Sequence, residues 1–331
     1  MAVEAGHGPR GYRSSQARAR KLVGETSKIA WTDATINFWM GCTKVSPACD
    51  HCYAEAWGKR SGMVKWGAGQ PRRKSKSAIK TAFKLERQAI REGRRIRVFT
   101  NSLADFFDKE VPEVWRDEAM AVIALTPHLD WLVLTKRQKV MSDYLAFGST
   151  YQDRCNAIGE QVLNLSDDYV LLSHALPLRN MRLGVTVESQ DMAELRLPAL
   201  KNMAGQGWKT FVSYEPALGP VKWWPFLDPE GLFGGCIQWV IVGGESGHHA
   251  RTFDLQWARD TRDACKRAGV PFFMKQLGTA ASDPHNGLAG KGLKVPAEAA
   301  PLIGRRLADP AGADPAEWPA DLRIQQFPEA A

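Results

Sequence analysis

The chain has no run of about 18 consecutive apolar residues, so nothing in it reads as a membrane-spanning helix. Its opening, MAVEAGHGPRGYRSSQARARKLVG, has no apolar stretch of signal-peptide length, and a cytoplasmic location without membrane contact is the expectation. No GxGxxG follows the first apolar run, which removes the usual dinucleotide fingerprint. Cysteine is scarce, six in 331 residues, too few for a disulfide scaffold. Cys155, Cys236 and Cys265 stand isolated in apolar or helical contexts and read as reduced core thiols. What is abundant is hydrophobic residue, 44% of the chain, enough to bury a full core as one large α/β domain.

Residues 1–27 are rich in Arg, Gly and Ser without apolar periodicity, which predicts a mobile basic arm. Seven short apolar runs follow: TINFWMG, RVFTNS, WLVLTK, RLGVTVE, TFVSYEP, QWVIVGG and VPFFMKQ. Runs of about five residues rich in Val, Ile and Phe, without polar alternation, read as strands covered on both faces. Helical patterns lie between most of them, for example 112–124 and 254–269, the latter closing on a Gly suited to a C-cap. Strand alternating with helix implies βα units and a parallel sheet. The spacing of roughly 30 residues predicts an α/β fold, a partial or complete (β/α) barrel of about six to seven parallel strands over 28–278. From 279 to 331 the composition shifts to Ala, Pro and Gly, predicting an irregular segment that caps the barrel with Trp318 and Phe327 as anchors.

The apolar runs end in polar residues: Asn101, Ser102 and Asp105; Thr135, Lys136 and Arg137; Thr186 and Glu188; Ser213 and Glu215; Glu245 and Ser246; Lys275 and Gln276. In a barrel such residues converge on one mouth. The loop 41–53 after the first run carries Cys42, Cys49 and Cys52 in C-x6-C-x2-C spacing, a pattern that points to a metal site. Thiolates suit zinc or an iron–sulfur cluster, and a Cys3His zinc site using His51 or another histidine stays open. Two features favour the cluster. There is no second CxxC or HxxxH pair nearby to close a fourth position, and the loop leaves a strand at the mouth where barrels do chemistry.

With an aromatic on either side of the last cysteine, His51 and Tyr53, this loop resembles that of the radical S-adenosylmethionine superfamily, whose commonest spacing, C-x3-C-x2-C, is shorter by three residues. The segments KIAWTDATINFWMGCTKVSPACDHCYAEAW, VFTNSLADFFD, WLVLTKR, WVIVGGESGHHAR, VPFFMKQLG and DPAEWPADLRIQQFP resemble a phage-borne three-cysteine family, over residues 28 to about 328. The resemblance implies a 4Fe-4S cluster on Cys42, Cys49 and Cys52, with S-adenosylmethionine chelated at the open iron and cleaved to a 5′-deoxyadenosyl radical. It implies candidate contacts from Thr100, Asn101 and Ser102 to the methionine ammonium, from Lys136 or Arg137 to its carboxylate, and from Glu188 to the ribose. Glu215 and the GGESG turn, with Gly243, Gly244 and Glu245, complete that candidate set, since glycines let a backbone approach a ligand. It also implies a one-electron donor such as flavodoxin or ferredoxin and, for a phage gene, the host cytoplasm.

The formal charge of +8 suggests an anionic partner. It is concentrated in residues 72–97, where eleven Lys or Arg face only Glu86 and Glu92. Ile79, Phe83 and Ile90 recur at helical spacing there, and Lys80, Lys84, Arg87 and Arg91 form a stripe on another face. With Arg72, Arg73 and Lys74 they are candidate nucleic-acid contacts, DNA before RNA. Trp223, Trp224 and Phe226 are candidates to stack an extruded base. The leading expectation is a radical enzyme modifying, rearranging or repairing a nucleobase, with phage-type DNA hypermodification in view. A zinc-bearing binding module without catalysis, and a radical enzyme acting on a small molecule or peptide, are the alternatives.

Overall fold

The computed structural model describes residues 27–146, 148–166, 176–228, 237–283 and 307–329. The expected arm over 1–27, except Ser27, lies outside these, as do Cys236 and residues 284–306 of the expected cap.

All seven apolar runs form strands: β1 (Ala34–Ile36), β2 (Ile96–Thr100), β3 (Leu129–Thr135), β4 (Met181–Thr186), β5 (Lys209–Tyr214), β6 (Val240–Gly243) and β7 (Phe272–Gln276). They pair in parallel in chain order, giving one seven-stranded sheet that curls into a half-barrel. The fold is therefore an α/β partial barrel. The connecting helices used below are α1 (Tyr53–Ser61), α2 (Ala78–Glu92), α3 (Glu113–Ala124), α4 (Gln138–Leu145), α5 (Ser149–Leu165), α6 (Gln190–Gly205), α7 (Trp224–Leu227) and α8 (Leu255–Ala268). The caps explain the boundaries of α8: the Asp254 side chain accepts from Gln256 N, and Gly269 ends the helix at φ 68°.

Adjacent strand residues feed two different cores, because side chains alternate across a pleated strand. Val98, Trp131, Val133, Val212, Val240 and Phe272 pack outward against the helices. Their neighbours Phe99, Leu132, Phe211, Trp239, Ile241 and Phe273 join Trp31 inside the curl. Ring centroids of Trp31 lie 4.7 Å from Phe99 and 6.0 Å from Phe211. This aromatic plug fills the inside of the curl.

The exposed edge at β7 is covered. Met274 N donates to Ile324 O at 2.8 Å and Gln326 N to Phe272 O at 3.0 Å, an antiparallel patch laid on the last strand. Phe327 packs on Trp239 and Phe273 and stacks beneath the Arg97 guanidinium at 3.8 Å, and Trp318 is buried with Nε1 donating to Gly312 O. Cys155 and Cys265 are free and buried. Among the described residues no helix is long and apolar enough to cross a membrane.

The plug depends on one missing side chain. A Cβ at Gly184 on β4 would sit 2.3 Å from the Phe211 ring. Gly184→Ala is expected to destabilise the chain by about 1–3 kcal/mol in urea unfolding through overpacking. The double variant with Phe211→Leu is expected to recover most of that loss; additive losses would contradict this packing.

Candidate functional site

The cysteine loop begins with a glycine in a left-handed conformation that other residues rarely adopt. Gly41 has φ 100°, and a Cβ there would meet Val64 at 2.9 Å. From it the chain runs through Cys42, turns in a short 3-10 helix at Pro47–Cys49, and enters α1 directly after Cys52. The three cysteines are free and partly buried, and all three line one cavity of about 110 Å³. Its floor is Phe99 and Leu134 from the plug, and its walls include Tyr53, Asn101, Ser102, Asp105, Lys136, Arg137 and Thr186. The ends of β2, β3 and β4 thus meet the thiols at the barrel mouth.

Of the sequence candidates, Asn101, Ser102, Lys136 and Arg137 share the cavity with the cysteines, whereas Thr100, Glu188, Glu215, Gly243, Gly244 and Glu245 do not line it. Three groups lining the cavity are available for a ligand. Asn101 is 2% exposed and Thr186 1%, yet Asn101 Nδ2 and Thr186 Oγ1 have no hydrogen-bond partner among the described residues. The Lys136 ammonium has no ion-pair partner among the described residues, although its backbone N donates to Asp105 at 2.9 Å. Buried polar atoms ordinarily find partners, so unpaired donors and acceptors around one cavity describe a site that a polar ligand would satisfy. Asn101 Oδ1 accepts from Phe38 N at 2.7 Å, and the residue adopts φ 59°, a conformation Asn tolerates better than most. Tyr53 leans over the mouth and donates to Ser102 O at 2.6 Å.

The other charged candidates hold the loop itself. Arg137 pairs with Asp105 at 3.0 Å, donates to Thr43 O at 2.8 Å and reaches Cys42 Sγ at 3.5 Å. Burial works against the Arg137 charge, but Asp105, Cys42 and Asp108 outweigh it and raise its pKa. Burial, reinforced by Asp105, pushes the Cys42 thiol up to about 11. Asp105, the only carboxylate in the cavity wall, also accepts from Thr135 Oγ1 at 2.6 Å, so its oxygens are taken. Glu188 is fully buried; one oxygen accepts from Arg196 at 2.7 Å and the other from Ala48 N, between two of the cysteines, at 3.4 Å. Glu245 receives Arg251 at 2.7 Å and contacts His51 Nδ1 at 3.1 Å, and Arg251 donates onward to Pro47 O at 2.9 Å. Gly244 is required by packing, since a Cβ there would lie 2.3 Å from Leu277 O. Gly243 packs against Gln276 and Glu215, and Glu215 pairs with Lys275.

Asp108, Arg196 and Arg251 were missed in the sequence because none lies beside a cysteine or at the end of an apolar run. Arg196 lies 1% exposed on the buried face of α6, where an arginine needs an acidic partner, but that burial is visible only in the structure. His248 and His249 stand near His51, with ring centroids of His51 and His249 6.1 Å apart. Among the described residues, no three His, Cys, Asp or Glu side chains group closely enough to hold a single metal ion.

The basic segment separates into two sets. Arg72 is buried against Asp108 at 2.8 Å and Thr43 Oγ1 at 2.7 Å, so it presents no charge to solvent. Lys74 pairs with Glu118, Arg94 with Glu92, Arg95 with Asp130 and Arg97 with Asp33. Arg73, Lys76, Lys80, Lys84, Arg87 and Arg91 are exposed and have no ion-pair partner among the described residues. The buried face of α2 is Ala78, Ala82, Leu85 and Ala89 rather than the Ile79, Phe83 and Ile90 row, and Ile90 is 55% exposed. Trp223 and Phe226 are core residues, and Trp223 Nε1 donates to Thr261; only Trp224 of that trio is exposed.

The family described as "Protein of unknown function (DUF5131)" matches residues 26–308, and the chain belongs to that family. No curated protein matches it. Among solved structures, spore photoproduct lyase complexed with dinucleoside spore photoproduct is similar at 14% identity and a TM-score of 0.40 over 75% of this chain, which spans 65% of that structure's length. A doubly substituted variant of that lyase, with bound AdoMet and the dinucleoside, is similar to the same extent. Another variant is similar at 13% identity and a TM-score of 0.46, covering 77% of this chain and 79% of its own.

Two outcomes follow from the clamped loop. Glu188→Ala leaves Arg196 buried and unpaired and is expected to cost about 3–5 kcal/mol in chemical denaturation; replacing both with Leu should recover most of it. Burial opposes the Glu245 charge, but Arg251 and His51 hydrogen bonds prevail and lower its pKa. A lowered pKa contributes stability above the unfolded carboxylate range that is lost as pH falls through the folded value. The stability gap between the native chain and Glu245→Gln should therefore be constant near neutrality and close on acidification. A gap indifferent to acid would contradict the clasp.

Proposed function

We propose that the chain is a radical S-adenosylmethionine enzyme acting on nucleic acid, with Cys42, Cys49 and Cys52 as ligands of a 4Fe-4S cluster. The observation that carries this reading is the single cavity lined by all three thiols together with unpartnered Asn101 Nδ2, Thr186 Oγ1 and Lys136. The donor set fits the group. A tetrahedral zinc with Zn–S of about 2.3 Å needs sulfurs about 3.8 Å apart, whereas a cluster takes each thiolate on a different iron and spreads them wider. The three thiols share one space whose described lining holds no histidine to complete a Cys3His zinc site, which favours the second arrangement.

When bound, such a cluster supplies the electron that splits the sulfonium of S-adenosylmethionine into methionine and a 5′-deoxyadenosyl radical, which takes hydrogen from a substrate. The residues around it bind and orient. Lys136 offers its ammonium to a carboxylate, Thr186 Oγ1 and Asn101 Nδ2 offer hydrogen bonds to the cofactor's polar end, and Phe99 and Leu134 exclude water from below. Arg137 lends positive charge to the Cys42 sulfur, which favours the thiolate that ligation needs. Thr100, Glu188, Glu215, Gly243, Gly244 and Glu245 act at one remove, by holding the loop and the strand ends that frame the cavity. The exposed cations of α2 supply the affinity for an anionic polymer, and DNA is the polymer we assign; phage-type hypermodification is the reaction class that the sequence resemblance adds. An electron donor of the flavodoxin or ferredoxin kind completes the system.

Anaerobic reconstitution with iron and sulfide, followed by S-adenosylmethionine and dithionite, should give 5′-deoxyadenosine, and Cys49→Ala should abolish it. A reconstituted, brown protein that forms none would overturn the reading.

A further inference from the structure

Beside the cluster cavity lies a second, larger space. A groove of about 580 Å³ opens between the end of β1, the Trp39–Met40 and Arg73–Lys74 ribbon, and the start of α2. Its lining carries Trp57, Met40 and Met63 together with Arg73, Lys74 and Lys76; Arg73 pairs across the ribbon with Met40 and donates to Met63 O at 2.9 Å, and no carboxylate among the described residues lines the groove. Lys74 is neutralised by Glu118, but Arg73 and Lys76 are not paired with any carboxylate among the described residues.

The groove and the cavity share a wall. Asn37 lines the groove and bonds to Ser102 Oγ at 3.3 Å and to Leu103 N at 2.8 Å, and Ser102 lines the cavity. One helix also serves both: Tyr53 faces the cavity and Trp57, one turn further along α1, lines the groove. From Lys76 the unpaired cations continue along the exposed face of α2 through Lys80, Lys84, Arg87 and Arg91. An indole set beside unpaired cations suits a single strand, because a base stacks on the ring while phosphates follow the charges. A paired duplex keeps its bases from such a ring.

We infer that this groove binds a single-stranded nucleic-acid flank, stacking a base on Trp57 and placing phosphates on Arg73, Lys76 and Lys80, so that the neighbouring nucleotide lies over the cysteine cavity. This rests on the nucleic-acid reading above and extends it to a named site and strand state.

The test is fluorescence anisotropy of the full-length chain, as purified, with labelled single-stranded DNA and RNA 12-mers over a salt series. Trp57→Ala should weaken binding about tenfold with the salt slope unchanged, and Trp57→Phe should retain most of the affinity. Lys76→Ala should weaken binding and lower the slope by about 0.7. Lys222→Ala, on another face, should change nothing. The inference is overturned if the native chain binds neither strand, if Trp57→Ala and Lys76→Ala bind like the native chain, or if Trp57→Ala weakens a base-free polyanion such as heparin equally. Binding needs no cluster, so a failure to cleave S-adenosylmethionine leaves this result standing, and the two readings fail separately.

Discussion

An eleven-residue loop carrying three thiols has only a 3-10 turn at Pro47–Cys49 of its own, and charged side chains from the strand ends set its position at the barrel mouth. Arg137 from the end of β3 ties down Cys42 and Thr43, Glu188 from beyond β4 reaches Ala48, and Arg251 and Glu245 from beyond β6 grip Pro47 and His51. Each contact is a charge-assisted hydrogen bond in a partly dry setting, where a missing partner is costly. The half-barrel is thus the frame, and the strand ends are its fasteners.

That arrangement divides the rim residues by task. Those with paired charges, such as Arg137 and Glu188, define where the thiols stand. Those left unpaired, Lys136, Asn101 and Thr186, define what else fits beside them. The same division governs the basic segment. Arg72 sits under the loop and braces Thr43, while the cations of the α2 surface point to solvent and give the chain its attraction for polyanions. One stretch of sequence therefore supplies both a structural brace and a binding surface.

The strands were legible because β1 to β7 are buried on both faces and leave short unbroken apolar runs, and the α8 boundaries were legible in Asp254 and Gly269. The cysteines announced themselves by spacing. The partners of the loop did not, because pairing between Glu188 and Arg196 or between Glu245 and Arg251 is a tertiary fact that no local pattern encodes. The buried face of α2 was hidden for a related reason: the large residues Ile79, Phe83 and Ile90 dominate a hydropathy reading, but Ala82, Leu85 and Ala89 are among the residues that bury. Trp223 and Phe226 likewise look like loop aromatics until α7 folds them under α8.

The central claim is that Cys42, Cys49 and Cys52 present a redox cluster with a position open to a ligand. Low-temperature EPR of the anaerobically reconstituted, dithionite-reduced chain, recorded with and without S-adenosylmethionine, tests it most directly. The account predicts the signal of a reduced 4Fe-4S cluster whose shape changes when S-adenosylmethionine is added. A colourless, EPR-silent protein holding one zinc, or a cluster signal indifferent to S-adenosylmethionine, would contradict it.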